Sequence, residues 1–160
     1  MAKEIERKFL VKNDNWRQHA APGVFMSQGY LSGSERSSVR VRVSGEQAFL
    51  NIKSATLGIS RKEYEYAIPV NDALDILHSL CEQPLIEKTR YDVAHGDHTW
   101  EVDVFSGDNV GLVVAEIELE HEDEPFALPD WAGEEVSHDV RYYNVCLVKN
   151  PYKLWKHETK

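Results

Sequence analysis

Apolar and polar positions alternate along most of this 160-residue chain, and a period of two marks strands whose faces differ. The alternation predicts strands over Glu4–Val11, Ser27–Leu31, Ser38–Ser44, Ala48–Ser54, Ser60–Pro69, Leu85–Ala94, Thr99–Phe105 and Val113–Glu120. The links Ser32-Gly33-Ser34, Ser44-Gly45-Glu46, His95-Gly96-Asp97 and Ser106-Gly107-Asp108 carry turn chemistry. Two of them are short enough to predict antiparallel hairpins. Asn71–Cys81 instead shows a helical stripe of Ala73, Leu74, Ile76, Leu77 and Leu80, with Asn71 or Asp72 placed to cap it. Beyond Glu122 come Pro125, Pro129 and Gly133, then a short helix predicted over Val140–Lys149. The whole predicts a mainly β chain (α+β, with a few peripheral helices) that forms one domain over residues 1–160. Its antiparallel sheet closes, or nearly closes, into a barrel.

Composition narrows the function classes. Hydrophobic residues make up 42%, enough for a core without a metal or disulfide staple. A formal net charge of −9, from 27 acidic and 18 basic side chains, argues against broad binding to nucleic acid or anionic membrane. The longest apolar runs, Leu112–Ala115 and Cys146–Val148, are far too short to span a bilayer. Met1–Leu10 mixes charge with apolar residues and resembles no cleavable signal. Cys81 and Cys146 are isolated thiols, expected to be reduced and semi-buried in a cytoplasmic protein.

The placement of charge is the unusual feature. Residues i and i+2 of a strand share a face, about 6.6 Å apart. That parity groups Glu4, Glu6 and Lys8; Arg40 and Arg42; Glu63 and Glu65; Lys88, Arg90 and Asp92; Glu101 and Asp103; and Glu116, Glu118 and Glu120. Lys53 follows Leu50 and Ile52 in the same manner. A solvated sheet face explains such a pattern about as well as a functional one. Like charges at i and i+2 repel, however, unless something of opposite sign intervenes. Acidic groups of this kind suit Mg²⁺ or Mn²⁺, and the arginine fork suits phosphate oxygens. With the charged faces turned inward, the barrel becomes a polar tunnel for metal and polyanion, the chemistry of phosphoryl transfer.

Glu4-Ile5-Glu6-Arg7-Lys8-Phe9-Leu10 resembles the ExExK signature that opens the CYTH superfamily, the triphosphate tunnel metalloenzymes. The likeness continues through Gln28–Leu31, Val39–Val43, Phe49–Lys53, Ser60–Tyr66, Glu87–Tyr91, Glu101–Phe105 and Ala115–Leu119. It ends in Trp131–Ser137, Asp139 and Arg141–Asn144, so that it covers about residues 4–148 and leaves 149–160 as a tail. The resemblance implies an eight-stranded antiparallel closed β-barrel that binds a triphosphate and a divalent metal, Mg²⁺ or Mn²⁺. It implies Glu4, Glu6, Glu116 and Glu118, together with Asp103, as metal carboxylates. It implies Arg40, Arg42, Lys53, Arg61, Lys88 and Arg90 as phosphate ligands, with Glu63 and Glu65 as acidic lining. Lys8 and Tyr30 match a lysine–tyrosine pair of small bacterial members that hydrolyse inorganic triphosphate, where a phenolate would accept a proton from attacking water. Arg141 is expected to close one mouth of the tunnel.

Other chemistries find little footing. Seven histidines form no HxH or HExxH arrangement, although His95 and His98 flank a turn. Trp16, Trp100, Trp131 and Trp155 read as packing residues, and Ser37 and Ser38 lack a His–Asp set. No glycine-rich phosphate loop is present. The leading expectation is therefore metal-dependent hydrolysis of tripolyphosphate to pyrophosphate and phosphate, with a small polyphosphate as partner and a homodimer left open. A class IV-type adenylate cyclase, a thiamine triphosphatase and a non-enzymatic polyphosphate- or nucleotide-binding barrel are the alternatives. The charged end Lys153–Lys160 receives no role.

Overall fold

The eight alternating segments become strands, and a ninth joins them, in a computed structural model that describes residues 3–33, 36–54 and 59–155. Ser34 of the first turn and the last five residues of the tail lie outside the described residues. The strands are β1 (Lys3–Val11), β2 (Val24–Gly33), β3 (Ser37–Ser44), β4 (Gln47–Ser54), β5 (Ser60–Ala67), β6 (Ile86–His95), β7 (His98–Phe105), β8 (Val113–Glu118) and β9 (Ala132–Glu135). Two helices accompany them, α1 (Val70–Ser79) and the short α2 (Asn144–Leu147). Neighbours run β5-β4-β3-β2-β6-β7-β8-β1, all antiparallel, and β1 returns to β5 through Lys3–Ile5. Eight strands thus form a closed barrel. β9 continues along β1 where β5 leaves off, pairing at Phe9 and Val11. Arg7 clamps it by donating to both Glu135 oxygens, at 2.9 and 2.7 Å.

Two tight hairpins set the register. Ser44 pairs with Gln47 and His95 with His98, and Gly45 and Gly96 each open a two-residue loop with φ near +60°. A positive φ at that first position alone is the type II′ pattern, which matches the twist of the flanking strands.

The barrel is apolar outside and charged inside. Outward side chains of β1, β7 and β8 (Ile5, Phe9, Trp100, Val102, Ala115 and Ile117) are buried under Trp16, Trp131 and Phe126. On the opposite flank Val41 and Ala48 lie under Ala73, Leu77 and Cys81 of the α1 region. The inward face becomes apolar toward one end, where Tyr30, Ile86, Phe105 and Val114 meet Tyr142, Leu147 and Val148. The C-terminal segment therefore floors the barrel, leaving a charged cup.

Several elements differ from the pattern-based reading. Pro69, extended at φ −61° and ψ 137°, occupies the position before α1, and no side chain caps the helix. The helix starts at Val70 because the proline ring holds φ in the helix-entry range and its carbonyl accepts the Ala73 N–H at 3.0 Å. Neither Asn71 nor Asp72 caps it. The predicted Val140–Lys149 helix divides into a 3₁₀ turn over Val140–Tyr142 and α2. β9 and a 3₁₀ turn at Asn15–His19 have no clear period in the sequence, and tertiary contacts supply them: Arg7–Glu135 for the one, burial of Trp16 for the other.

Close approach explains one residue next to the cup. A Cβ at Gly29 would stand 2.8 Å from both the Cys81 Cβ and the Leu85 Cδ2. Gly29→Ala is expected to cost about 1–3 kcal/mol, read as a lower denaturant midpoint at unchanged slope. An unchanged midpoint would show that the end of α1 yields freely.

Candidate active site

Parity and register together build the site. In β1, Glu4, Glu6 and Lys8 point inward; β8 sets Glu118 opposite Glu6 and Glu116 opposite Lys8. Closure of β1 on β5 sets Arg61 opposite Glu4. Around the remaining wall stand Arg40 and Arg42 from β3, Lys53 from β4, Glu63 and Glu65 from β5, and Lys88 and Arg90 from β6. They enclose a cavity of about 420 Å³. Every residue the sequence placed in the tunnel lines it, Tyr30 included, except Asp103.

Asp103 has another task. It is fully buried, with Lys88 Nζ 2.7 Å from Oδ2 and Arg90 donating to both oxygens at 2.7 and 2.9 Å. Burial acts to raise this carboxyl, and Arg90 and Lys88 together overcome it, holding it below its ordinary value. It is the counter-ion that braces two cations and does not line the cavity as a metal ligand would. Burial pushes the Lys88 ammonium down to about 7 against the pull of Asp103, with Arg90 and Arg42 adding to the fall.

The carboxylates on the opposite wall crowd one another. Burial, aided by Glu63 and Glu116 and opposed by Lys53, raises Glu4 to about 7. Burial also lifts Glu6 well above the usual range, with Glu116 and Glu4 as like-charged neighbours. Glu116 moves the other way: burial raises it, but Lys8 and Arg90 dominate and hold it well below. Lys53 bridges Glu4 and Glu63 at 3.6 and 3.4 Å. The Glu4 Oε1 atom is buried without a hydrogen-bond partner among the described residues. No three His, Cys, Asp or Glu side chains among the described residues already converge as a formed metal centre. The His98 ring bonds Glu124, away from the cavity.

Lys8 and Tyr30 share the cavity, but no hydrogen bond joins them. Lys8 Nζ donates to the Tyr142 carbonyl at 3.1 Å, and the Tyr30 hydroxyl receives Gln28 Nε2 at 3.4 Å. Arg141, expected at a mouth, lies on the surface instead, bonded to Asp139 and stacked near the Tyr142 and Trp155 rings. Its near neighbours Tyr143 and Asn144 line the cavity. The sequence reading missed Gln28, Asn51 and Asn144. Parity could have found two of them, because Gln28 shares the Tyr30 face and Asn51 the Lys53 face. Asn51 donates to Glu65 at 2.8 Å and Glu63 at 3.3 Å, holding the acidic lining of β5.

The chain is 53% identical over 156 residues to an inorganic triphosphatase of Acetivibrio thermocellus, covering 98% of this chain and 99% of the relative. It is 40% identical over 149 residues to an inorganic triphosphatase of Nitrosomonas europaea, covering 90% and 95%. The crystal structure of the inorganic triphosphatase NE1496 superposes with a TM-score of 0.64 at 36% identity, covering 90% of this chain and 96% of that one. The CYTH domain model matches residues 2–145, and with these relatives it places the chain in the CYTH family.

Proposed function

We propose that this protein is a metal-dependent inorganic triphosphatase that cleaves tripolyphosphate to pyrophosphate and phosphate within the barrel. The observation that carries the reading is the two-walled cavity, in which guanidinium and ammonium groups from four strands face glutamates of β1 and β8. Those glutamates are hard oxygen donors suited to Mg²⁺ or Mn²⁺. Crowding raises Glu4 and Glu6, and Glu4 Oε1, ion-paired to Lys53 at 3.6 Å, accepts no hydrogen bond from the described residues; a divalent cation held among these carboxylates would relieve both. Glu4, Glu6, Glu116 and Glu118 would hold it. Once bound, a divalent ion supplies neutralisation of phosphate charge and polarisation of the reacting phosphorus.

The chain's own residues do the rest. Arg40, Arg42, Lys53, Arg61, Lys88 and Arg90 bind consecutive phosphates by charge-assisted hydrogen bonds. Tyr30 takes the proton of the attacking water while Lys8 supplies positive charge beside it. The new P–O bond forms as the bridging P–O bond breaks, and pyrophosphate leaves. No helix among the described residues is long and apolar enough to cross a membrane. We place the protein in the cytoplasm, which suits its two free cysteines.

Phosphate release from tripolyphosphate, pyrophosphate, ATP and thiamine triphosphate, with and without Mg²⁺ or Mn²⁺, tests the reading. Tripolyphosphate is expected to be cleaved far faster than the others and only with metal. Efficient conversion of ATP to cyclic AMP would favour the cyclase alternative.

Tyr30→Phe is expected to lower kcat about 10²-fold or more with little change in KM, because the basic wall is untouched. Wild-type turnover in this variant would leave Tyr30 as packing.

Stability should report the crowded glutamates. A carboxyl raised on folding, as Glu4 is from 4.5 to about 7, contributes stability below its unfolded pKa and loses it as pH rises through the folded one. In chelator, the melting temperature should fall between about pH 5 and pH 7 more steeply in the wild type than in Glu4→Gln. Added Mg²⁺ should restore more of it above that window than below. Parallel pH profiles of the two proteins would refute the assignment.

A further inference from the structure

Two carboxamides at the floor of the cup have no part in the scheme above. Gln28 is fully buried and uses both ends of its amide. Its Oε1 accepts from Arg42 Nε at 2.7 Å, while Nε2 donates to Asn144 Oδ1 at 3.0 Å and to the Tyr30 hydroxyl at 3.4 Å. Asn144 Oδ1 accepts a second bond, 2.9 Å long, from Lys88 Nζ.

Neither amide can be reversed. A guanidinium offers only donors, so the Gln28 oxygen must face Arg42 and its amide nitrogen must face Asn144. An ammonium likewise offers only donors, so Asn144 must turn its oxygen to Lys88. The Asn144 Nδ2 group is therefore directed away from this cluster. No described residue accepts from it, and Asn144 lines the cavity beside Lys88, Arg42 and Tyr30.

We infer that Asn144 is a substrate ligand whose Nδ2 amide donates to a phosphate oxygen of bound tripolyphosphate, aimed there by the Gln28–Asn144–Lys88 hydrogen bonds. The inference rests on the triphosphatase reading and extends it to a residue outside the barrel wall. A neutral donor suits this cavity, whose cations are already matched by carboxylates, because it adds a hydrogen bond to phosphate without adding charge. It also ties substrate binding to the C-terminal segment, since α2 begins at this residue.

Asn144→Asp separates a ligand from a strut. The carboxylate keeps oxygens for Lys88 and Gln28 but replaces the cavity-facing donor with a charged acceptor that repels phosphate. Tripolyphosphate KM with Mg²⁺, and calorimetric Kd in chelator where no turnover occurs, are expected to rise about 10- to 100-fold. The melting temperature should be maintained, and kcat should fall less than KM rises. Asn144→Ala removes donor and strut together; it should weaken binding by a similar factor and also lower the melting temperature. Should the aspartate variant fail to fold, the alanine variant carries the same affinity comparison. Wild-type affinity for tripolyphosphate in either folded variant overturns the inference. A wild-type chain that neither binds nor cleaves tripolyphosphate would instead overturn the proposed function, and this inference with it.

Discussion

Asp103 and the two cations around it govern the interior of this barrel. A carboxylate withdrawn wholly from water carries a large desolvation cost, offset here by Lys88 at 2.7 Å and by both prongs of Arg90. Removing one partner of such a buried group leaves uncompensated charge, at about 3–5 kcal/mol. The arrangement also restrains the cations. Arg90 pairs with Asp103 across β6 and β7; its Nη2, bonded to Asp103, also donates to Glu116 at 3.3 Å, and its Nη1 lies 3.3 Å from Glu101 Oε2. Lys88, anchored from behind, spends another donor on Asn144. Two flexible side chains thus become a fixed part of the wall.

The same balance extends to the whole cavity. Lys8, Arg40, Arg42, Lys53, Arg61, Lys88 and Arg90 are matched by Glu4, Glu6, Glu63, Glu65, Glu101, Glu116 and Glu118. Cations and carboxylates are equal in number but segregated, with the β1–β8 wall acidic and the β3–β6 wall largely basic. A bare polyanion is held less tightly by such a site than a metal-bound one, because the carboxylates offset part of what the guanidinium groups attract. A polyphosphate carrying its own divalent ion meets both walls favourably. Metal and substrate are therefore complementary to the cavity together, in keeping with the proposed reaction.

Charge can be held inside only because the apolar work is done elsewhere. Trp16, Trp100 and Trp131 seal the outside of β1, β7 and β8, α1 seals β3 and β4, and Leu147 and Val148 seal the floor. The β-barrel has two apolar coats and one apolar plug, and its interior is free to carry ligands. The floor also delivers Tyr143 and Asn144 to the cavity, so the segment that closes the fold completes the site.

Period-two alternation by itself determined which side chains share a face. Glu4, Glu6 and Lys8, or Arg40 and Arg42, stand together in the structure because that parity is a local property of an extended backbone. It could not determine which face turned inward, how deep each charge lies, or what it meets. Those depend on register between strands far apart in sequence: Arg61 meets Glu4 only when β5 closes on β1, and Asp103 is enclosed only because Lys88 and Arg90 stand across from it on β6. Parity placed Asp103 with Glu101, yet Glu101 lines the cavity and Asp103 lies behind two cations. The segment after β9 offers only a short predicted helix, and its course follows from burying Leu147 and Val148 against the barrel floor. That packing, invisible in the order of residues, carries Asn144 inside and leaves Arg141 on the surface, because a side chain's distance from the substrate is a long-range quantity that no local pattern encodes.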